Sequence, residues 1–568
     1  MSGIIPVESS VPAIPTDQPV ATPSGDRTCA PTVPSSSAYC DKEVLLALKD
    51  TLRGSRKGTL ITWQPYRPLK LFEGVRVSPS SGQVVAIDLH WMGLAGFIPP
   101  DLGRLSQLQV LDLQRNALTG PIPPELGRLS QLQVLDLFSN ELTGPLPSEL
   151  GRLGQLQVLV LTRNALTGPI PPELGQLGQL QDLYLHENEL TGPIPPELGL
   201  IEQLQTLNLS VNALTGPIPP ELGQLGQLQY LNLSGNDLTA IPLELGQLGR
   251  LQGLYLHYNQ LTAIPPELGQ LGRLQRLYLR VNALTGPIPP ELGQLEQLQV
   301  LHLHENELMG PIPPELGRLG QLRELYLHEN ELTGPIPPEL GQLNQLQVLN
   351  LSHNQLTAIP PELGQLGRLQ ELHLDYNRLT GSIPPELGQL RQLDTLYLHN
   401  NELTGPIPPE LGQLRFLASL HLDYNRLTGP IPPELGRLRE LCWLYLDHNR
   451  LTGPIPPELG QLTPLRSLLL HANRLTGPIP PELGRLEQLR NLGLQGNWLT
   501  GSIPPELGRL EHLYELYLHV NQLTGPIPTE LERLRSLKIL WLHGNQFTGC
   551  VPPALAPICQ CPDLPLCA

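Results

Sequence analysis

Residues 322–343 read LRELYLHENELTGPIPPELGQL, and this unit recurs nineteen times with small changes. Its Asn330 belongs to a series that begins at Asn116, Asn140 and Asn164 and ends at Asn521 and Asn545. The spacing is 24 residues, except for three intervals of 23 where TGPIP becomes TAIP at Ala240, Ala263 and Ala358. A fixed period of roughly 20–29 residues marks a solenoid, one supersecondary unit stacked on the next. The expected fold class is therefore an α/β solenoid. It should be a superhelix of about 20 coils, with a parallel concave β-sheet and a 3-10 or extended convex side.

The chemistry of one coil supports this. Leu325 and Leu327 are two apart, so on a strand both enter the core, with Leu322 below them. Glu324, Tyr326 and His328 alternate with them and point outward. An Asn side chain in the following turn bonds main-chain groups that the bend leaves unpaired, so stacked coils make an Asn ladder. Leu332 and Ile336 re-enter the core. Gly334 permits a sharp backbone and Pro335 fixes the next φ. Glu339-Leu340-Gly341 should form a short helical turn on the convex side. No coil buries its leucines alone, so stability is close to a sum over neighbours and the ends need caps. Strands about 4.8 Å apart give an arc of roughly 95 Å.

The segment LTGxIPxELGxL resembles the plant-type leucine-rich repeat of receptor-like proteins, receptor kinases and polygalacturonase inhibitors, and similar arrays of algal proteins. The resemblance covers residues 72–549. It implies a twisted superhelix and a recognition role, and it transfers no ligand. Residues 37–82 resemble the amino-terminal cap of such arrays, a helix followed by W…WxGVxC…GxVxxLxL. Here Trp63 precedes Phe72, which stands where the family has tryptophan. Lys70 and Val77 stand where it has paired cysteines, so the usual cap disulfide is absent. Cys29 and Cys40 remain as an alternative pair.

Length alone, 568 residues, suggests several domains, but a solenoid grows without that limit. Residues 1–36 are rich in Pro, Ser and Thr and read as a disordered leader. Residues 37–82 read as a helical cap, with Asp41 as N-cap and Val44, Leu45, Leu48 and Leu52 at helical spacing. Residues 83–549 are the array, whose first coil has Met92 in place of Asn. Residues 550–568 form a cysteine-rich cap in which Cys550, Cys559, Cys561 and Cys567 allow three pairings. A zinc site is disfavoured there, because the C-x2-C knuckle is missing. Cys442 reads as an unpaired thiol.

Cap disulfides and the resemblance favour an extracellular or cell-surface location. The first thirty residues nevertheless lack the basic and apolar regions of a signal peptide, and no apolar run is long enough to span a membrane. A start beyond this sequence is the expectation, with unconventional export or a cytoplasmic location as alternatives. The net charge of −17 argues against nucleic acid and anionic membranes.

In a near-identical array the varying positions carry the information. These lie six, four, two and one before each Asn, and they hold fourteen of the fifteen His and eleven of the fourteen Tyr. The expected ligand-binding residues, across 250–450, are Tyr255, Tyr258, Tyr278, His302, His304, Glu305, Tyr326, His328, Glu329, His373, Tyr376, Tyr397, His421, Asp423, Tyr424, Trp443 and Tyr445. Tyr and Trp bury much area while keeping a polar handle. The plainer reading is that aromatics suit a sheet surface. The same positions hold twelve acids against four Arg, which favours a basic protein or peptide over an acidic polysaccharide. His304 and His328, beside Glu305 and Glu329, come within reach of sharing a metal, but a copied LHEN cassette is the favoured reading. No cofactor or metal is expected. Protonating every His between about pH 7.5 and 5.5 would move the net charge from −17 towards −2, a pH-sensing device. The N-L-S sequons at Asn208, Asn232 and Asn350 lie mid-strand and read as coincidental.

No nucleophile motif or phosphate loop is present, so an enzyme is the least favoured class. The reading reached is a non-catalytic recognition scaffold, working with a co-receptor or an enzyme partner. An inhibitor of a secreted wall-degrading enzyme, or a structural, ice-facing surface built on the Thr of each LTG, are the alternatives.

Overall fold

The computed structural model describes residues 36–54, 60–561 and 565. Each coil places one short strand in a main sheet, for example Glu324–Tyr326. Leu325 stands opposite Leu301 of the coil before and Leu349 of the coil after. This unshifted register repeats from Val84–Asp88 to Ile539–Trp541, and all these neighbours are parallel. Only the edge differs, where Val75–Val77 pairs antiparallel with Val84–Asp88. At the other edge Cys559–Gln560 adds a last parallel strand.

Leu322, Leu325, Leu327, Leu332, Leu340 and Leu343 are all fully buried, and Ile336 is nearly so. Each gains about 2 kcal/mol over exposure. The core is one continuous column of such residues from Val44 to Leu555.

The turn after each strand combines a strained residue with a satisfying one. The residue before every Asn has left-handed φ, and sixteen of the nineteen are not glycine; Glu329, at φ 52°, is one. That conformation costs about 1 kcal/mol or more outside glycine. The Asn offsets it. Asn330 Nδ2 donates to Leu327 O and His328 O of its own coil and to Leu303 O of the previous one, at 3.1–3.2 Å. Its Oδ1 accepts the Leu308 N–H at 3.0 Å. The ladder runs unbroken from Asn116, which also holds Met92 N–H in the Asn-free first coil, to Asn545.

On the convex side each coil makes a 3-10 turn such as Pro338–Gln342. The glycine in that turn is required by the next coil: a Cβ on Gly341 would stand 2.3 Å from Glu362 O. The same clash, at 2.2–2.4 Å, recurs at the equivalent position from Gly103 to Gly508. The last 3-10 turn, Thr529–Arg533, reads TELER, with Glu532 where the others have glycine. No further coil stacks on it, so the side chain fits.

At the amino end the helix spans Ser36–Thr51, beginning five residues before Asp41, so Asp41 is not its cap. Asp41 is buried, and its Oδ2 accepts the Val84 N–H at 2.8 Å, pinning helix to sheet. A tertiary bond has replaced the local one. Val44, Leu45, Leu48 and Leu52 do face the core. Trp63 stacks on Phe72 at 5.5 Å and donates its indole N–H to Glu73 O. Cys40 is a free thiol that accepts from Arg104, so the Cys29–Cys40 pair is not formed; Cys29 itself lies outside the described residues. At the carboxyl end Cys559 pairs with Cys561, and Cys550 is also disulfide-bonded. Cys567 lies outside the described residues. Cys442 is free.

Two substitutions test the stacking argument by urea unfolding. Gly341→Ala should cost about 3 kcal/mol, because its neighbour is backbone and cannot rotate away. Glu532→Gly at the equivalent terminal site should change stability by no more than about 0.5 kcal/mol. Asn354→Ala should cost about 3 kcal/mol, since it strips Leu332 N–H and buried carbonyls of their partner. Its local signature is faster amide exchange at Leu332.

Candidate ligand-binding face

Because the register never slips, equivalent positions of successive coils form straight rows on the concave face. The row four before Asn carries two stacks of rings. Tyr255, Tyr278, His302 and Tyr326 follow one another with centroids 5.1, 4.6 and 4.5 Å apart. Asn350 interrupts the row in register. His373, Tyr397, His421 and Tyr445 then follow at 4.7, 4.4 and 4.3 Å. Burial, with Glu324 nearby, pushes the Tyr278 and Tyr326 hydroxyls up to about 12.

The row one before Asn stands at the lip of the face. Tyr258, Tyr376 and Tyr424 are 45–48% exposed there. Each is braced from the side: Arg280 lies 4.8 Å from the Tyr258 ring and donates to its hydroxyl, His353 stacks on Tyr376, and His448 stacks on Tyr424. Glu305 and Glu329 are also exposed on this row. Trp443, on the row six before Asn, is exposed with Arg466 at 5.9 Å from its ring.

The row two before Asn is not outward in the sense the alternation suggests. His304, Asp375, Asp423 and Asp447 are all less than a tenth exposed. Rows about 4.8 Å apart leave each side chain flanked by its neighbours in the adjoining coils. This overturns the pH-sensing expectation. Burial pushes His186, His257, His328, His373 and His421 down to about 4, and His304, where His328 adds repulsion, to about 2. His399, His471 and His519 are lowered by burial as well. These imidazoles stay neutral between pH 7.5 and 5.5, so the swing towards −2 does not occur. Burial pushes Asp375 up to about 6 and, with Asp447 adjacent, Asp423 to about 7.

His304, Glu305 and His328 do come together, with one donor atom each within 4.8 Å. The two imidazoles lie face to face at 4.2 Å and 14°, so they stack rather than converge. Asn208 is buried, and its Oδ1 accepts from both the N–H and the hydroxyl of Ser210, so this sequon is a turn device. Asp375, His399, Asp447, His448 and His471 also belong to this face and were not singled out from the sequence. Reading along the second row, rather than seeking aromatics on the fourth, would have found them.

A family profile described as a leucine-rich repeat region matches residues 95–218 and 218–334. Another, described as leucine rich repeat, matches 344–403 and 367–427. A single-repeat profile matches 440–462, 464–486, 488–510 and 536–558. The comparison with curated proteins yields no match. Among solved structures, the chain is similar to the plant peptide hormone receptor RGFR1 in complex with RGF2, at 36% identity and TM-score 0.78 over 85% of each chain. It is similar to the Arabidopsis receptor kinase HAESA in complex with the peptide hormone IDA and the co-receptor SERK1. That match is 34% identical with TM-score 0.76, over 93% of this chain and 92% of the other. A Leptospira interrogans LRR protein, LIC12759, is 40% identical with TM-score 0.52, over 63% of this chain and 88% of the other.

The amino-terminal end of the face gives a pH test. Asp88, Asp112 and Asp136 stand in register, and Asp136 is 1% exposed with one carboxylate oxygen unpartnered. Burial, aided by the charge of Asp112, pushes Asp136 up to about 7 from 3.8. Between those values the folded chain holds a proton that the unfolded chain releases, so stability falls as pH rises through this window. Asp136→Asn should therefore raise the melting temperature at pH 8, by at most about 4 kcal/mol of stability. The gain should shrink below pH 7 and vanish near pH 4.

Proposed function

The chain belongs to the plant-type leucine-rich repeat family, and on that premise we propose that it is a non-catalytic scaffold that recognises a protein or peptide on its concave face. The observation that carries this is the pair of four-ring stacks between Tyr255 and Tyr445. They form a rigid apolar floor, and Tyr258, Tyr376, Tyr424 and Trp443 stand exposed beside it. Folding does not require rings there, since the spine leucines already close the core. Rigid, half-buried aromatics are what an interface anchors on, because little rotamer entropy remains to be lost. An extended peptide laid across the coils meets one ring per strand spacing.

Charge indicates the partner's character. Glu305, Glu324, Glu329 and Glu371 edge the floor, and Arg280 is taken up with Tyr258. A basic peptide or a basic protein segment suits this rim, and its binding weakens as salt rises. The receptors RGFR1 and HAESA carry peptide hormones in their structures, which supports a peptide reading for this chain and, for HAESA, a co-receptor as second partner. Within the same reading, residues 37–82 and 550–568 cap the array 83–549. The disulfides at Cys550 and Cys559–Cys561 fit an oxidising compartment. Among the described residues no helix is long and apolar enough to cross a membrane.

The test is affinity capture from source extract by the chain and by a variant with Tyr326, Tyr397 and Tyr445 changed to Ala. Each ring should contribute about 2 kcal/mol, so the triple variant should lose the partner outright. A partner held equally by both would move the site off the concave face.

A further inference from the structure

Through the coils from Asn377 to Asn473 the second row reads Asp375, His399, Asp423, Asp447 and His471, with His421 alongside on the fourth row. The three carboxylates are 7%, 9% and 4% exposed. A buried carboxylate needs a counter-charge or a full set of donors. Among the described residues none of the three has Lys or Arg at ion-pair distance; only imidazoles approach. His399 Nε2 is 3.8 Å from Asp375 Oδ2, while His448 Nδ1 and His471 Nε2 are 2.8 and 3.4 Å from Asp447 Oδ2. Asp423 lacks even that. Its Oδ1 is buried without a partner, and so is His399 Nδ1.

One nitrogen of His399, one of His421 and an oxygen of Asp423 lie within 4.8 Å of one another. The two imidazoles cross at 62° with centroids 5.6 Å apart. Ligand lone pairs lie in the ring plane, so crossed rings can aim at one point while parallel rings cannot. This separates the pair from the stacked His304 and His328. Each imidazole also has an outer support. Ser419 Oγ lies 3.1 Å from His421 Nε2, and Asp375 Oδ2 faces His399 Nε2. Such a contact to the other ring nitrogen is how ligating histidines are oriented. The neighbouring group Asp447, His448 and His471 differs, because Asp447 already contacts both imidazoles.

We infer that His399, His421 and Asp423 form a binding site for a divalent cation of the zinc class, with its fourth position open to the concave groove. Two nitrogens and one carboxylate oxygen select zinc, nickel or copper over magnesium and calcium, which take oxygen shells. Metal–donor bonds of about 2.0–2.2 Å require the donors to close to about 3.3 Å. Rotation of the three side chains on fixed strands supplies that movement. The cation would neutralise Asp423 where no other positive group reaches it. The open position takes water, or a donor from a bound partner. The site lies on the face assigned to the partner, yet it is tested without one, so either reading can fail while the other stands.

The experiment is calorimetric titration of the metal-stripped full chain with zinc chloride at pH 7.5. One ion per chain should bind, and His421→Gln and Asp423→Asn should each weaken binding at least tenfold, with His304→Gln unchanged. Circular dichroism reports whether each variant keeps its fold. Should a variant unfold, anomalous diffraction from cobalt-soaked crystals of the natural chain decides. Density between His399, His421 and Asp423 supports the site. No binding, equal binding by the His421 and Asp423 variants, loss in His304→Gln, or density elsewhere overturns it.

Discussion

Asn330 accepts a hydrogen bond from the coil before it and donates another back across the same gap. Everything else in the molecule depends on that exchange being repeated without a slip. It lets the residue before each Asn hold a left-handed backbone that most side chains avoid. It fixes the angle at which the chain leaves the strand. It also holds successive strands in one register, so that a residue's row is decided by its distance from the nearest Asn. The leucine core then follows, and so does the straightness of the rows on the concave side.

The architecture was legible because it is periodic. Spine leucines, the Asn ladder, the tight Gly334 and the 3-10 turns are each dictated within one coil. What escaped the sequence depended on a neighbouring coil. Asp41 reads as a helix cap because Asp suits that place locally, and only the fold shows Val84 waiting for its carboxylate. Gly341 reads as part of a turn, yet the atom that forbids a side chain there is Glu362 O of the following coil. The histidines read as titratable, yet their neighbours in the stack remove the water that titration needs.

The concave face shows the same division. The aromatic positions were visible as a column in the alignment of coils, because Tyr and His are conspicuous against leucine. Their grouping into two stacks was not, since it turns on Asn350 breaking the row. The buried acids Asp375, Asp423 and Asp447 were counted from the sequence as surface charge. Their meaning changes once they lie under the rim without a basic partner.

Glu532 bears on how such a protein changes over generations. In every other coil the equivalent residue is held to glycine by the coil that follows it, whereas Glu532 answers to none. A gene segment copied within the interior carries its glycine along and meets the same demand on both sides. A segment copied after the last coil would set that glutamate against new backbone. The array can therefore lengthen only from within, one coil at a time, and its ends are inherited while its middle is free to drift.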